Sequence, residues 1–332
     1  MDHLTAKVSC FARAYHRRTN AVPVFDDAAA EALLGEDFPQ IAQSMKDGAA
    51  FFLPGFTGTP EEALRRIVDG QLAPSVLARS AYCEEALARE IGRGCQQYVI
   101  FAAGYDSFAI RNAGSDISVF ELDLPETADD KRVRTERSAL SSCAKLILCD
   151  LSGSTWTEAL LSGGYCPGET AFCSMLGISY YLSKPDLRAL LRVAAQIMSA
   201  SSVLCFDYPA DEESRSADIN RALAHGAGET MKARYSPRAM EALLRECGFH
   251  IREHLAAAEM TERFFSAHNR HTPEHPMAAP DGVRYILAER NKISKSSPDG
   301  GLFGIIQQQT LGQPVPKQAK KSFHLQHSLT NP

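Results

Sequence analysis

With 332 residues, 45% of them hydrophobic and 23% charged, and a formal net charge of −5, the chain reads as a soluble globular protein with room for one large domain or two smaller ones. Lys317, Lys320 and Lys321 are too sparse for a nucleic-acid surface, and no apolar run reaches membrane-spanning length. The opening MDHLTAKVSCFARAYHRR lacks the apolar core of a secretion signal, and the nine cysteines show no zinc-like spacing, so the expectation is a reduced, cytoplasmic protein with no metal site.

The first part, residues 1–95, reads as helical. Thr59 can cap a helix from Pro60 to Asp69 that Gly70 stops, and another helix runs from about Ala73 to Ile91, closed by Gly92 and Gly94. Phe51, Phe52 and Phe56 read as an aromatic loop anchored on the core. From Gln97 the pattern alternates strand and helix. Strands are expected at Tyr98–Ala102, Ser118–Leu122, Lys145–Cys149, Thr170–Leu176, Ser202–Asp207, His250–Leu255 and Gly282–Glu289. Ser183 can cap a helix whose Leu187, Leu190, Leu191, Ala194 and Ile197 share a face. Ser236 and Gly248 bracket another, Pro237 to Cys247. This alternation predicts an α/β, doubly wound, mostly parallel sheet with helices on both faces over 96–290. Residues 209–235 interrupt it just after the fifth strand, where a substrate lid would belong. Residues 291–332 turn rich in Ser, Lys, Gln, Gly and Pro and read as a disordered tail.

The segment QYVIFAAGYDSFAIRNAGSDISVFELDL, residues 97–124, carries the most chemistry. An apolar strand ends in small residues, a helix-capable stretch follows, and a second strand closes on Glu121 and Asp123. Asp123 lies 19 positions after Gly104. This is the layout of a nucleotide-binding βαβ unit, in which an acid at the second strand's tip accepts from ribose hydroxyls. The three-glycine fingerprint is incomplete: Ala102 and Ile110 stand where two small residues would admit a pyrophosphate. A ligand with ribose and adenine but no pyrophosphate, such as S-adenosylmethionine, fits the loop better.

The blocks QYVIFAAGYDSFAIR, VFELDLPETADDKR, LILCDL, TAFCSMLGISYYLS and VLCFDYP, preceded by VFDDAAAEALL and LARSAYCEEAL, resemble in order and spacing the leucine carboxyl methyltransferase family. Within it, the chain is most similar to the small-molecule branch that includes polyketide O-methyltransferases. The resemblance covers roughly residues 8–290. It implies a class I methyltransferase, a Rossmann-like sheet of seven strands, with S-adenosyl-L-methionine as cofactor. It further implies that Arg79 pairs with the cofactor's carboxylate, an anion that a planar guanidinium meets with two parallel hydrogen bonds. Gly104 would lie under the methionyl and ribose portion. Asp123 would bind the ribose, with Glu121, of the same strand parity, as its competitor. Asp150 would accept from the adenine amine while Leu151 packs on the ring. Asp106 and Arg111 resemble a family pair read here as an internal ion pair. Two departures stand out. Ala102 replaces a frequent glycine, which is tolerable at negative φ, and Ser174, Met175 and Leu176 occupy the place where part of the family carries a glutamate.

No residue presents itself as a decisive general base. Asp207 and Tyr208 at the tip of the fifth strand, Tyr180 and Tyr181 after the fourth, and Arg263 are candidates for the substrate pocket; His225, His268 and His271 are possible bases. The resemblance implies an O-methyltransferase of secondary metabolism acting on a small-molecule carboxylate, a nucleophile already ionised at neutral pH. The alternatives are a phenol or alcohol acceptor on the same fold, a nicotinamide-dependent oxidoreductase, disfavoured by the glycine loop, and a non-catalytic cofactor-binding scaffold. No nucleic-acid or membrane partner is expected, and the oligomeric state stays open.

Overall fold

A computed structural model describes residues 4–212 and 230–292 of the chain. Seven strands form one sheet: β1 (Gln97–Phe101), β2 (Ser118–Asp123), β3 (Ala144–Leu148), β4 (Ala171–Met175), β5 (Val203–Pro209), β6 (Phe249–Leu255) and β7 (Val283–Arg290). Each lies within two residues of its expected bounds. The order is β3-β2-β1-β4-β5-β7-β6. The strands β1 to β5 pair in parallel, and β7 runs antiparallel to both β5 and β6. After β3 the chain crosses to the other side of β1, so β1 and β4 flank the switch point at which doubly wound sheets bind ligands.

The helices are α1 (Leu4–Thr19), α2 (Ala30–Leu34), α3 (Asp37–Asp47), α4 (Ala49–Phe52), α5 (Pro60–Ile67), α6 (Ala73–Ile91), α7 (Phe108–Arg111), α8 (Pro125–Arg137), α9 (Trp156–Ser162), α10 (Lys184–Ile197), α11 (Pro237–Glu246), α12 (Ala257–Met260) and α13 (Ser266–His271). Alternation along the strands divides the core in two. Tyr98, Ile100, Cys205, Tyr285 and Leu287 pack under α1, α2 and α6. Val99, Phe101, Phe120, Leu122, Leu204 and Phe206 pack under α9, α10 and α11. Burial on both faces explains why β1 and β5 read as unbroken apolar runs.

Local chemistry sets the helix starts. Thr59 and Glu62 form a capping box with Pro60 at the first turn, Ser183 and Asp186 form another, and Ser236 accepts from the Ala239 N–H. Gly70 does not stop the helix as expected. The chain passes from α5 into α6 through a π-helical turn, Val68–Leu72, in which the Ala73 N–H reaches back to the Val68 carbonyl. Pro74 has no N–H to give the preceding turn, and the wider turn takes up that gap. The expected aromatic loop is in part helical, with Phe51 and Phe52 ending α4, and only partly anchored: Phe52 packs on the core, whereas Phe51 is 69% exposed. Most of the expected lid, 213–229, and all of the expected tail from 293 lie outside the described residues. Among the described residues no helix is long and apolar enough to cross a membrane.

Candidate functional site

The site assembles where β1, β2, β3 and β4 end. The turn after β1 is held by the Ala103 N–H on the Leu122 carbonyl (3.1 Å) and the Asp106 N–H on the Ala103 carbonyl (2.8 Å). Within it Ala102 has φ +50° and Gly104 φ +52°. The negative φ at which an alanine would be tolerated is not the one observed: Ala102 holds a left-handed conformation, at a cost of about 1–2 kcal/mol. A methyl group built on Gly104 would stand 3.3 Å from the Ala6 Cβ, because the start of α1 lies over this turn.

Asp123, at the tip of β2 and 9% exposed, accepts the Gly104 N–H on Oδ2 at 2.6 Å and its neighbour's N–H, that of Leu124, on Oδ1 at 2.8 Å. Each oxygen keeps acceptor capacity. Glu121 is differently placed. It is buried against Lys131 of α8, Oε2 to Nζ 2.6 Å, and burial pushes its carboxyl above the usual range against the pull of Lys131. The Cys149 N–H joins the Asp123 carbonyl (2.9 Å), so Asp150 and Leu151 begin beside β2. Asp150 is exposed and accepts the Ser152 N–H at 2.8 Å; Leu151 packs against the second core. Burial, then the charges of Asp123 and Asp150, push the Cys149 thiol up to about 11, as expected of a thiol flanked by two acids.

Arg79 projects from α6 toward the ends of β4 and β5. Its side chain is only 17% exposed, yet its contacts are long: 3.5 Å from Nη2 to the Ser9 hydroxyl of α1 and 3.7 Å from Nη1 to Asp207 Oδ2. Asp207 is fully buried. Its Oδ1 accepts the Gly177 N–H at 2.7 Å, its Oδ2 the Tyr180 hydroxyl at 2.9 Å, and its carbonyl the Ser179 hydroxyl at 2.6 Å. Tyr208 faces the other core, its hydroxyl 2.8 Å from His254 Nε2. Tyr181, half-buried, follows Tyr180 with ring centroids 6.4 Å apart. Arg263 sits in a second π-helical turn, Thr261–Phe265, bound to Glu85 and Glu253 and resting over Tyr82 and Phe264. The structure thus brings together Gly104, Asp123, Asp150 and Leu151 on one side and Arg79 with Asp207 on the other, and ties Arg263 into a separate ion-pair network.

The expected Asp106–Arg111 pair is also corrected. Arg111 binds Glu84 through both terminal nitrogens and lies 3.5 Å from Asp27, while Asp106 caps the Phe108 N–H at 2.8 Å. Of the possible bases, His268 is 1% exposed with its ring nitrogens 3.0 and 3.4 Å from the Val22 and His275 carbonyls. His271 is exposed and bonds its own helix, and His225 lies outside the described residues. Reading the sequence missed Ser9 and Gly177, both of which touch Arg79. Gly177, at φ +72° after β4, carried the only local signal, a glycine directly after a strand.

S-adenosylmethionine fits these residues. A largely buried guanidinium whose carboxylate partner stands 3.7 Å away has N–H donors left for a second anion, and Asp123 retains acceptor positions for a hydroxyl pair. Residues 6–195 match the model of the leucine carboxyl methyltransferase family. The chain is 33% identical over 301 residues, 86% of its length and 97% of the relative's, to YktD of Bacillus subtilis strain 168, whose name assigns it by inference as an S-adenosyl-L-methionine-dependent methyltransferase. A Frankia alni protein named in the same way is 30% identical over 155 residues, covering 46% of this chain and 55% of that one. Among solved structures, a Thermobifida fusca protein assigned by inference as a methyltransferase has the same fold, with TM-score 0.50, 13% identity, and coverage of 86% and 94% of the two chains.

Proposed function

Because this chain belongs to the leucine carboxyl methyltransferase family, we propose that it uses S-adenosylmethionine to methylate the carboxylate of a small molecule, forming a methyl ester in secondary metabolism. When bound, the cofactor supplies an activated methyl group. The rest is the work of the chain's own side chains. Arg79 holds a carboxylate, Asp123 orients a ribose, Asp150 and Leu151 hold an adenine, and the β1 turn beneath α1 keeps water from that end of the site.

One observation supports a carboxylate acceptor. Of the candidate bases among the described residues, Asp207 is buried and accepts from Gly177 and Tyr180, His268 is buried between the Val22 and His275 carbonyls, and His271 is exposed on its own helix. A carboxylate needs no base, whereas a phenol or alcohol does. The test is incubation with S-adenosylmethionine and a panel of carboxylic acids and phenols, read by mass spectrometry and by single-turnover rate against pH. Methylated acids and a rate nearly flat between about pH 6 and 8 are expected, since a free carboxylic acid titrates near about 4. Methylated phenols with a rate rising with pH would transfer the assignment to a hydroxyl acceptor.

A further inference from the structure

Arg79 does not rest on the residue that carries its charge partner in the ordinary way. Its guanidinium lies against Gly177: a methyl group built there would stand 2.9 Å from Cζ and Nη1 and 3.0 Å from Nη2, at a backbone φ of +72°. The Asp207 carboxylate lies behind this arrangement. It is 0% exposed and 3.7 Å from Nη1, too far for a hydrogen bond. Gly177 and Tyr180 donate to its two oxygens, at 2.7 and 2.9 Å, and fix the orientation of the carboxylate. Opposite Asp207 across the β5–β7 pair stands Tyr285, fully buried, its hydroxyl without a hydrogen-bond partner. Burial, with Asp207 adding to it and Arg79 opposing, raises the Tyr285 phenol well above its ordinary value, so it stays a neutral donor.

We propose that Asp207 is the positioning residue for Arg79: it neutralises the guanidinium in the absence of ligand, fixes the Gly177 seat on which it lies, and leaves its N–H donors free for the carboxylate end of the cofactor. A direct Asp207–Arg79 bridge would satisfy the arginine and compete with the ligand. A missing acid would leave a buried, unoriented cation. The observed separation, with each oxygen of the acid oriented by another donor, avoids both. This inference rests on the assignment of Arg79 to the cofactor's carboxylate.

The test compares two ligands by calorimetry: S-adenosylhomocysteine, which carries the amino-acid end, and 5′-methylthioadenosine, which lacks it. Asp207→Asn is expected to weaken the first on the order of tenfold and leave the second unchanged. The loss should vanish in an Arg79→Ala background, because the acid acts through the arginine. Gly177→Ala, which keeps Asp207 but fills the seat, should show the same selective loss and serves if Asp207→Asn does not fold. Equal weakening of both ligands, losses that add with Arg79→Ala, or unchanged binding of both would overturn the inference. If Arg79→Ala alone binds S-adenosylhomocysteine normally, the Arg79 assignment fails and the inference with it. A selective loss in Arg79→Ala but none in Asp207→Asn or Gly177→Ala overturns the inference alone.

Discussion

Replacing His16 by glutamine should remove a large part of the acid sensitivity of the fold. His16 is 0% exposed on α1, its Nε2 accepts the Val24 N–H at 2.9 Å, and its ring lies 5.0 Å from that of His268. Burial, then the charges of His268 and Arg65, lower its pKa to about 3. Because the folded value lies below the unfolded one of about 6.5, His16 contributes stability that is present above that value and lost as pH falls through it toward the folded pKa. About pH 5 lies about 1.5 pH units below the unfolded pKa, so proton uptake by the unfolded chain favours unfolding by about 2 kcal/mol there. Protonation would also turn the acceptor facing the Val24 N–H into a donor. The assay is urea unfolding of the native chain and of His16→Gln at about pH 7.5 and about pH 5. The native chain should lose about 2 kcal/mol more than the variant between the two. Any uniform cost of the substitution cancels in this difference. Equal losses would show that His16 stays neutral in neither state preferentially and would refute the reasoning.

Asp123→Ala should weaken S-adenosylmethionine binding by about 1.5–3 kcal/mol, since a charged acceptor is removed from hydroxyl partners and from the Gly104 N–H it holds at 2.6 Å; unchanged affinity in calorimetry would pass the role to Glu121. Lys131→Met strands the buried Glu121 carboxylate and should cost about 3–5 kcal/mol near neutral pH. Glu121 has a raised folded pKa, so that loss should shrink as pH falls and the acid takes up a proton; a pH-independent loss in urea unfolding would contradict it. Truncation after Lys292 should leave melting temperature and cofactor affinity unchanged, because β7 closes the sheet at Arg290 and every site residue named above precedes it; a clear drop in either would show that the removed segment supports the core.

The strands were legible because the sheet is covered on both faces, which forces continuous apolar runs such as Tyr98–Phe101 and Val203–Phe206. The capped helices were legible because Thr59, Ser183 and Ser236 act within three residues of their own backbone partners. What escaped is non-local. Arg111 finds Glu84 at a sequence distance of 27, where Asp106 was closer in sequence, and Ser9 reaches Arg79 across 70 positions. No local pattern encodes either pair. The π-helical turn at Val68–Leu72 escaped because Gly70 followed by Pro74 carries the same signature as a helix stop. Of the site, Gly104 and Asp123 could be placed from one βαβ segment, since a single turn joins them. The seat of Arg79 could not, because it is built from α1, α6, β4 and β5 together.

The most direct test of carboxylate methylation follows the fate of the transferred group. Enzyme, S-adenosylmethionine labelled in its methyl group and the acceptor found in the panel are incubated together, and the purified product is treated with mild alkali. Release of the label as methanol is predicted, because a methyl ester hydrolyses under these conditions. Retention of the label in an alkali-stable methyl ether would contradict a carboxylate acceptor.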